Sequence, residues 1–349
     1  MVTFFPGPSQ VYPQLVQYLN EAFQSGILSE SHRSDAFNAL SAETISLIRS
    51  KLGVPEDYTI LYTSSATECW EIIAQSLTRK QSVHFSSGAF GDKWHYYAQS
   101  LHPHSLKVSM PLNEELYAAY LDVKADDEII CITQNETSNG TQVDFDTLAS
   151  IRGAFPEKLI ALDCTSSMAG ICLPFALGDI WFASVQKCFG LPAGLGLMIL
   201  SPAAVERAED LEDRSRYNSL INMLEHMKNY QTSCTPNVLG IFLLNRVLQN
   251  VPRIEETDAM LRQRMEKYLQ IFPVSNMKPL ITNPKVRSTT VLAVETDPEY
   301  LAGLKAEAKA KGMLLGSGYG KWKSNTFRIA NFPAITEDQV DQLIRFLKP

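Results

Sequence analysis

Two charged residues stand where charge is hard to accommodate. Asp163 closes the apolar run Leu159-Ile-Ala-Leu-Asp163, and Lys187 sits between Trp181-Phe-Ala-Ser-Val-Gln186 and Cys188-Phe-Gly190. An acid at the carboxyl end of a buried parallel strand points into the crevice where α/β proteins hold ligands; taken alone, it could equally cap a helix. A lysine among apolar residues and glycines loses hydration, which lowers its pKa and makes it a nucleophile toward a carbonyl. Taken alone, it could equally be a strand-end lysine whose ammonium snorkels to water. As a pair they supply what pyridoxal phosphate requires. The carboxylate holds the pyridinium proton, and the amine makes the covalent link to the aldehyde.

Three further segments carry chemistry. Arg328 lies inside Phe327-Arg-Ile-Ala330, a position that is unfavourable for a charge without an anionic partner. Its planar fork suits a substrate carboxylate, although a salt bridge to a protein acid would serve as well. Thr63-Ser-Ser-Ala-Thr67 leads into a helical pattern, so its N–H groups and hydroxyls can cup a phosphate or simply cap the helix. In Ser31-His-Arg33-Ser34, two cationic donors form either an anion clamp or a solvated helix approach.

These residues need a frame. Strand-like runs occur at 58–64, 82–86, 106–110, 128–133, 158–163, 179–184 and 196–200, with helix-sized segments between most of them. The pattern predicts an α/β fold with a mostly parallel sheet of about seven strands, covered on both faces. The last two strands are joined by a short turn, so one of them is expected to be antiparallel. Helices are expected at 13–23, with Leu15, Val16, Leu19 and Phe23 on one face, and at 35–52, 67–77, from about Asp92, at 116–121 and at 145–151. Beyond a helix at 254–269, a strand at 287–294, a helix at 298–311, a strand at 327–332 and a final helix with a Thr336/Gln339 capping box describe a small α+β domain. The expected division is 1–250 for the N-terminal segment and large cofactor-binding domain, and 251–349 for the small C-terminal domain.

Composition narrows the function. The chain has 349 residues, 31 Lys+Arg against 38 Asp+Glu, a net charge of −7 and no dense basic tract. Nucleic acid is therefore not an expected partner, whereas a local cluster of cations can still hold a small anion. No stretch has the length or apolarity of a membrane span. The start of the chain carries no signal-like segment, and the six cysteines form no C-x-x-C pair, so a cytoplasmic protein with buried thiols and no metal site is expected. No G-x-G-x-x-G turn follows the first sheet strand, which disfavours a nicotinamide enzyme.

The chain resembles the phosphoserine aminotransferases, in the class V branch of fold type I pyridoxal-phosphate enzymes. The matching pieces are Phe5-Pro-Gly-Pro8, Ser31-His-Arg33, Asn135-Glu-Thr-Ser-Asn-Gly140, Asp163-Cys-Thr-Ser-Ser167, Gln186-Lys187, Gly190-Leu-Pro-Ala-Gly194 and Arg328. The resemblance implies a homodimer with sites shared between subunits. It implies Lys187 and Asp163 as catalytic residues, with Ser65, Ala66, Thr67, Phe90, Thr137 and Gln186 around pyridoxal 5'-phosphate. Gln231 and Thr232 would reach that cofactor from the partner chain. Arg328 would take the substrate's α-carboxylate, and Lys321 with the partner's His32 and Arg33 its distal phosphate. Phe90 stands where close relatives have tryptophan, Thr67 where the best-known members have an arginine-bearing glycine-rich turn, Lys321 in place of a histidine and Trp322 in place of an arginine. The implied reaction is amino transfer between O-phospho-L-serine and 2-oxoglutarate in serine biosynthesis, giving 3-phosphooxypyruvate and L-glutamate. The alternative is a class V aminotransferase acting on small unphosphorylated amino acids, such as serine or alanine with glyoxylate.

Overall fold

The structure, a computed structural model, describes residues 1–118 and 121–348. In chain order it begins β1 (Val2–Phe4), α1 (Leu15–Gln24), α2 (Asp35–Leu52), β2 (Thr59–Thr63), α3 (Ala66–Ser76) and β3 (Gln81–Ser86). It continues through α4 (Ala89–Leu101), β4 (Leu106–Ser109), β5 (Asp127–Thr133), β6 (Asn135–Glu136), β7 (Thr141–Gln142) and α5 (Phe145–Ala154). Then follow β8 (Leu159–Asp163), β9 (Ile180–Ser184), β10 (Gly196–Leu200), α6 (Pro202–Leu211), α7 (Leu220–Met227) and α8 (Val238–Asn250). The chain ends with α9 (Ile254–Leu269), β11 (Lys278–Pro279), β12 (Val291–Glu295), α10 (Pro298–Ala310), β13 (Met313–Ser317), β14 (Thr326–Ala330) and α11 (Glu337–Leu347).

The seven expected strands form one sheet, ordered β2-β10-β9-β8-β5-β3-β4. The pairs β3/β4, β3/β5, β5/β8 and β8/β9 are parallel, and β10 runs antiparallel to both of its neighbours. The carboxyl ends of β2, β5, β8 and β9 therefore share one edge, where Thr63, Thr133, Asp163 and Ser184 stand. Both faces of the central strands are covered. Ile160, Ala161 and Leu162 of β8 and Trp181, Phe182 and Ala183 of β9 are completely buried, which explains their unbroken apolar runs.

A second sheet, ordered β1-β13-β14-β12-β11, has its own apolar core around Phe4, Phe327, Ile329 and Leu343. Its first strand departs from the expected division: residues 2–4 pair in parallel with 313–315 of β13. Strand β13 itself goes unpredicted, because Met313-Leu-Leu is too short a run to stand out before Gly316. That glycine is required: a Cβ would stand 2.7 Å from both the Arg328 carbonyl oxygen and Pro6 Cδ. The capping box of α11 is present, with Thr336 and Gln339 exchanging both bonds.

Other differences have local causes. Of the expected stripe on α1 Leu15 is buried, whereas Val16, Leu19 and Phe23 are exposed and Tyr18 and Ala22 are buried in their place. Tyr18 and Ala22 lie on the side that meets α8, where Glu21 also pairs with Arg246. Helix α4 begins three residues before the expected Asp92, because a distant carboxylate, Glu136, accepts the Phe90 and Gly91 N–H groups. The expected helix at 116–121 falls partly on residues 119 and 120, outside those described. Four of the six cysteines are buried as expected, but Cys172 is half-buried and Cys234 exposed. No helix among the described residues is long and apolar enough to cross a membrane.

Phe4 carries the docking of β1. Truncating a fully buried phenylalanine costs about 3–5 kcal/mol, so Phe4→Ala should lower stability by that amount in denaturant unfolding. A loss below about 1 kcal/mol would mean that β1 does not pack as described.

Candidate active site

A cavity of about 210 Å³ opens at the shared strand edge, lined by residues of both sheets. The parallel register sets Asp163 beside Thr133, and one strand further on the chain leaves β9 through Ser184 to Gln186 and Lys187. All of these line the cavity, together with Ala66, Thr67, Phe90, Thr137 and Arg328. Most of the site expected from the sequence is thus brought together in one place.

Asp163 is held from two sides. Oδ1 accepts from Thr165 N (2.9 Å) and Oγ1 (2.5 Å), and Oδ2 accepts from Trp70 Nε1 (3.1 Å). Burial pushes its carboxyl pKa up, against the Thr165 bonds, the Lys187 charge and the Trp70 bond, which favour the ionised form. Trp70 comes from α3 and stacks near Tyr97, 6.3 Å between ring centroids. In the sequence it shows only helical apolar spacing, which gives no sign that its indole N–H is committed to an acid.

Lys187 is 6% exposed, and its Nζ donates to Thr137 Oγ1 at 2.6 Å. Burial brings its pKa down to about 8, opposed by the charges of Asp163 and Glu136. The N-terminal segment closes over its stem. Ser9 N bonds the Gln186 carbonyl (3.1 Å), and Gly7 lies so close that a Cβ would stand 2.9 Å from Lys187 Cε. With φ at +151°, Gly7 also occupies backbone space that side chains disfavour.

Arg328 crosses from the second sheet. Nε donates to the Ser317 carbonyl and Nη1 to the Thr137 carbonyl, both at 2.7 Å, fixing the plane of the guanidinium. Burial lowers its pKa to about 10, which leaves it cationic at neutral pH. No acid pairs with it among the described residues, so the protein salt bridge left open by the sequence is not its partner. Tyr319 lines the same wall, its ring 5.6 Å from Phe90 and 5.5 Å from the Arg328 guanidinium. Sequence reading misses Tyr319, since Gly316-Ser-Gly-Tyr-Gly320 reads as an unstructured turn.

The remaining candidates lie elsewhere on the chain. Ser65 caps α3, accepting from Glu68 N at 3.2 Å, and does not line the cavity. Lys321 is exposed, with its ammonium 4.8 Å from the Trp322 ring. Gln231 and Thr232 line a separate pocket beside α7. Arg33 Nη1 donates to Gln231 Oε1 at 2.8 Å and lies 3.2 Å from His226 Nδ1. His32 joins the same cluster, where partial burial and then the Arg33 and His226 charges lower its pKa. His226 is a further imidazole of this cluster that sequence reading misses.

The cavity fits pyridoxal phosphate. Buried Thr133 Oγ1 and Asn135 Oδ1 line it without partners, so a polar occupant is required to satisfy them. Asp163 could hold a ring proton, Lys187 an aldehyde, and the α3 N-terminus with Thr67 and Gln186 a phosphate. Among the described residues no group of three His, Cys, Asp or Glu is placed to hold a metal ion.

Known proteins resemble this chain along nearly its whole length. The sequence profile of the family "Aminotransferase class-V" matches residues 4–300. A phosphoserine aminotransferase of Rhodococcus opacus (strain B4) is 28% identical over 361 residues, covering 97% of this chain and 92% of that protein. The crystal structure of a phosphoserine aminotransferase from Cytophaga hutchinsonii superposes with a TM-score of 0.94 at 32% identity, covering 99% of this chain and 98% of the other. An aspartate aminotransferase from Thermus thermophilus shares the fold, with a TM-score of 0.86 at 22% identity over 100% of this chain and 98% of that one.

The lowered Lys187 pKa has a measurable consequence. The unfolded chain keeps this proton to about pH 10.4 and the folded one releases it near 8. Between those values the group makes folding more favourable as pH rises, and below pH 8 its full cost is present. In cofactor-free protein, competitive acetylation followed by mass spectrometry should show Lys187 half-reactive near pH 8, well below the ordinary lysine value. A midpoint above 10 would refute the effect of burial on this amine.

Proposed function

The chain belongs to the class-V aminotransferase family, in its phosphoserine aminotransferase branch, and from that premise we propose how its residues divide the work. It is a pyridoxal-phosphate-dependent aminotransferase that moves the amino group of O-phospho-L-serine to 2-oxoglutarate, giving 3-phosphooxypyruvate and L-glutamate, a step of serine biosynthesis. The observation that carries the assignment of roles is the convergence of Asp163, Lys187 and Arg328 on one buried cavity from three strand ends and two sheets.

When bound, pyridoxal phosphate supplies a link to the amino nitrogen and an electron sink in its ring. Asp163 holds the ring-nitrogen proton, kept in place by Trp70 and Thr165. Arg328 grips the α-carboxylate of donor or acceptor and so turns Cα toward Lys187. Lys187 Nζ would then accept the Cα proton, its pKa brought by burial from the ordinary lysine range to about 8, within reach of proton exchange near neutrality. Phe90 covers the site as an aromatic face. Its backbone N–H is held by Glu136, which fixes where the side chain leaves the helix.

The distal clamp belongs to the partner subunit in this reading. His32 and Arg33 of that clamp, and Gln231 and Thr232, which would reach the cofactor, do not line their own chain's cavity, yet Arg33 and Gln231 are bonded to each other on the surface. A pre-assembled patch of that kind suits delivery into a neighbouring copy. The functional enzyme is then a homodimer whose sites each draw on both chains. Such a clamp of guanidinium and imidazole recognises charge, and so accepts either a phosphate or the γ-carboxylate of the oxo acid.

The test is kcat/KM for O-phosphoserine and for serine. Arg33→Ala should lower the value for O-phosphoserine by about 10- to 100-fold, the worth of a charge-assisted hydrogen bond, and reduce that for serine far less. Arg328→Ala should damage both substrates alike, because both carry the α-carboxylate. Equal losses on the two substrates in Arg33→Ala would favour the small-amino-acid aminotransferase.

A further inference from the structure

Lys93 stands three residues after Phe90 on α4, on the same face of the helix. Its position is set by the anchoring of the α4 N-terminus to Glu136. Its Nζ donates to the Tyr319 hydroxyl at 2.8 Å and lies 5.4 Å from the Phe90 ring centroid and 5.5 Å from that of Tyr319. On the same two rings, Lys187 Nζ is 5.3 Å from Phe90, and the Arg328 guanidinium is 5.5 Å from Tyr319. The aromatic pair thus separates two buried cations from an exposed third one. No carboxylate pairs with Lys93 among the described residues. The acid beside it, Asp92, is already paired with Lys107 at 3.0 Å.

A substrate whose α-carboxylate rests on Arg328 and whose nitrogen faces Lys187 has its other end free to reach past the Tyr319 ring, which lines the cavity beside Arg328. We propose that Lys93 is a specificity-determining residue of the site. It is a cation of the same chain that meets the distal anion of the substrate, whether the phosphate of the amino acid or the far carboxylate of the oxo acid. In this structure the ammonium rests on the hydroxyl of Tyr319, a residue of the cavity wall, and it leaves that acceptor when it turns onto the anion. The inference rests on the aminotransferase reading of the cavity and adds to it a contribution independent of the partner subunit.

The experiment compares the holoenzyme and its variants through the ratio of kcat/KM for O-phosphoserine to that for serine. Lys93→Met should lower this ratio about ten-fold, and Lys93→Arg should restore most of it. Tyr319→Phe, which keeps the ring and removes the hydroxyl, should retain most of the ratio. A ratio unaltered in Lys93→Met overturns the proposal alone. A loss in Tyr319→Phe as large as that in Lys93→Met also overturns it, by assigning the effect to placement of the 318–320 loop. A wild-type enzyme with no preference for the phosphorylated substrate overturns the parent reading, and the proposal with it.

Discussion

A primary amine sealed from water holds its proton poorly, and the site is arranged around that constraint at Lys187. Burial alone would strip the charge. Asp163 and Glu136 oppose it, leaving the amine balanced near pH 8, where it can both attack a carbonyl and carry a proton. That balance needs a close anion without direct pairing, since a salt-bridged lysine would be a poor nucleophile. The parallel register supplies it: Asp163 ends one strand, Lys187 follows the end of the next, and the carboxylate spends its hydrogen bonds on Thr165 and Trp70. The amine is left to Thr137, a neutral acceptor that can release it.

The second constraint is that the two sheets agree on one geometry. Arg328 belongs to β14, yet one of its two fixed bonds goes to the carbonyl of Thr137, whose hydroxyl holds Lys187. Glu136, the preceding residue, fixes the start of α4 and with it Phe90. One short hairpin therefore sets the carboxylate fork, the reactive amine and the covering ring together. A small shift between the sheets would disturb all three.

Legibility in the sequence follows how locally each feature is encoded. Asp163, Lys187 and Arg328 stand out because each interrupts or ends an apolar run, and a charge there needs a reason. The seven strands of the first sheet are legible for the same reason, as is the antiparallel β10, since the chain between β9 and β10 is too short for a crossover. Trp70 is not legible, because an indole committed to an acid and an indole in a core share the same spacing, and Tyr319 is not, because the glycines around it carry no apolar pattern. The early start of α4 is equally hidden, its cap lying on another strand. Helices α6, α7 and α8 carry no interrupting signal of comparable strength. The gathering of Arg33, His226 and Gln231 exists only in three dimensions.

The docking of β1 onto β13 has a consequence for how the chain is made. Val2 pairs with Met313, so β1 leaves a ribosome 311 residues ahead of its neighbour. At roughly 5–20 residues per second, Phe4 and the Pro6-Gly7-Pro8 turn wait tens of seconds for their partner. During that interval the large sheet can already have condensed. Closing so long a loop adds little equilibrium cost beyond that of a shorter one, but it raises the contact order of the last step. The wall over Lys187 is therefore completed late in biosynthesis, after a period in which the cavity is open along that side.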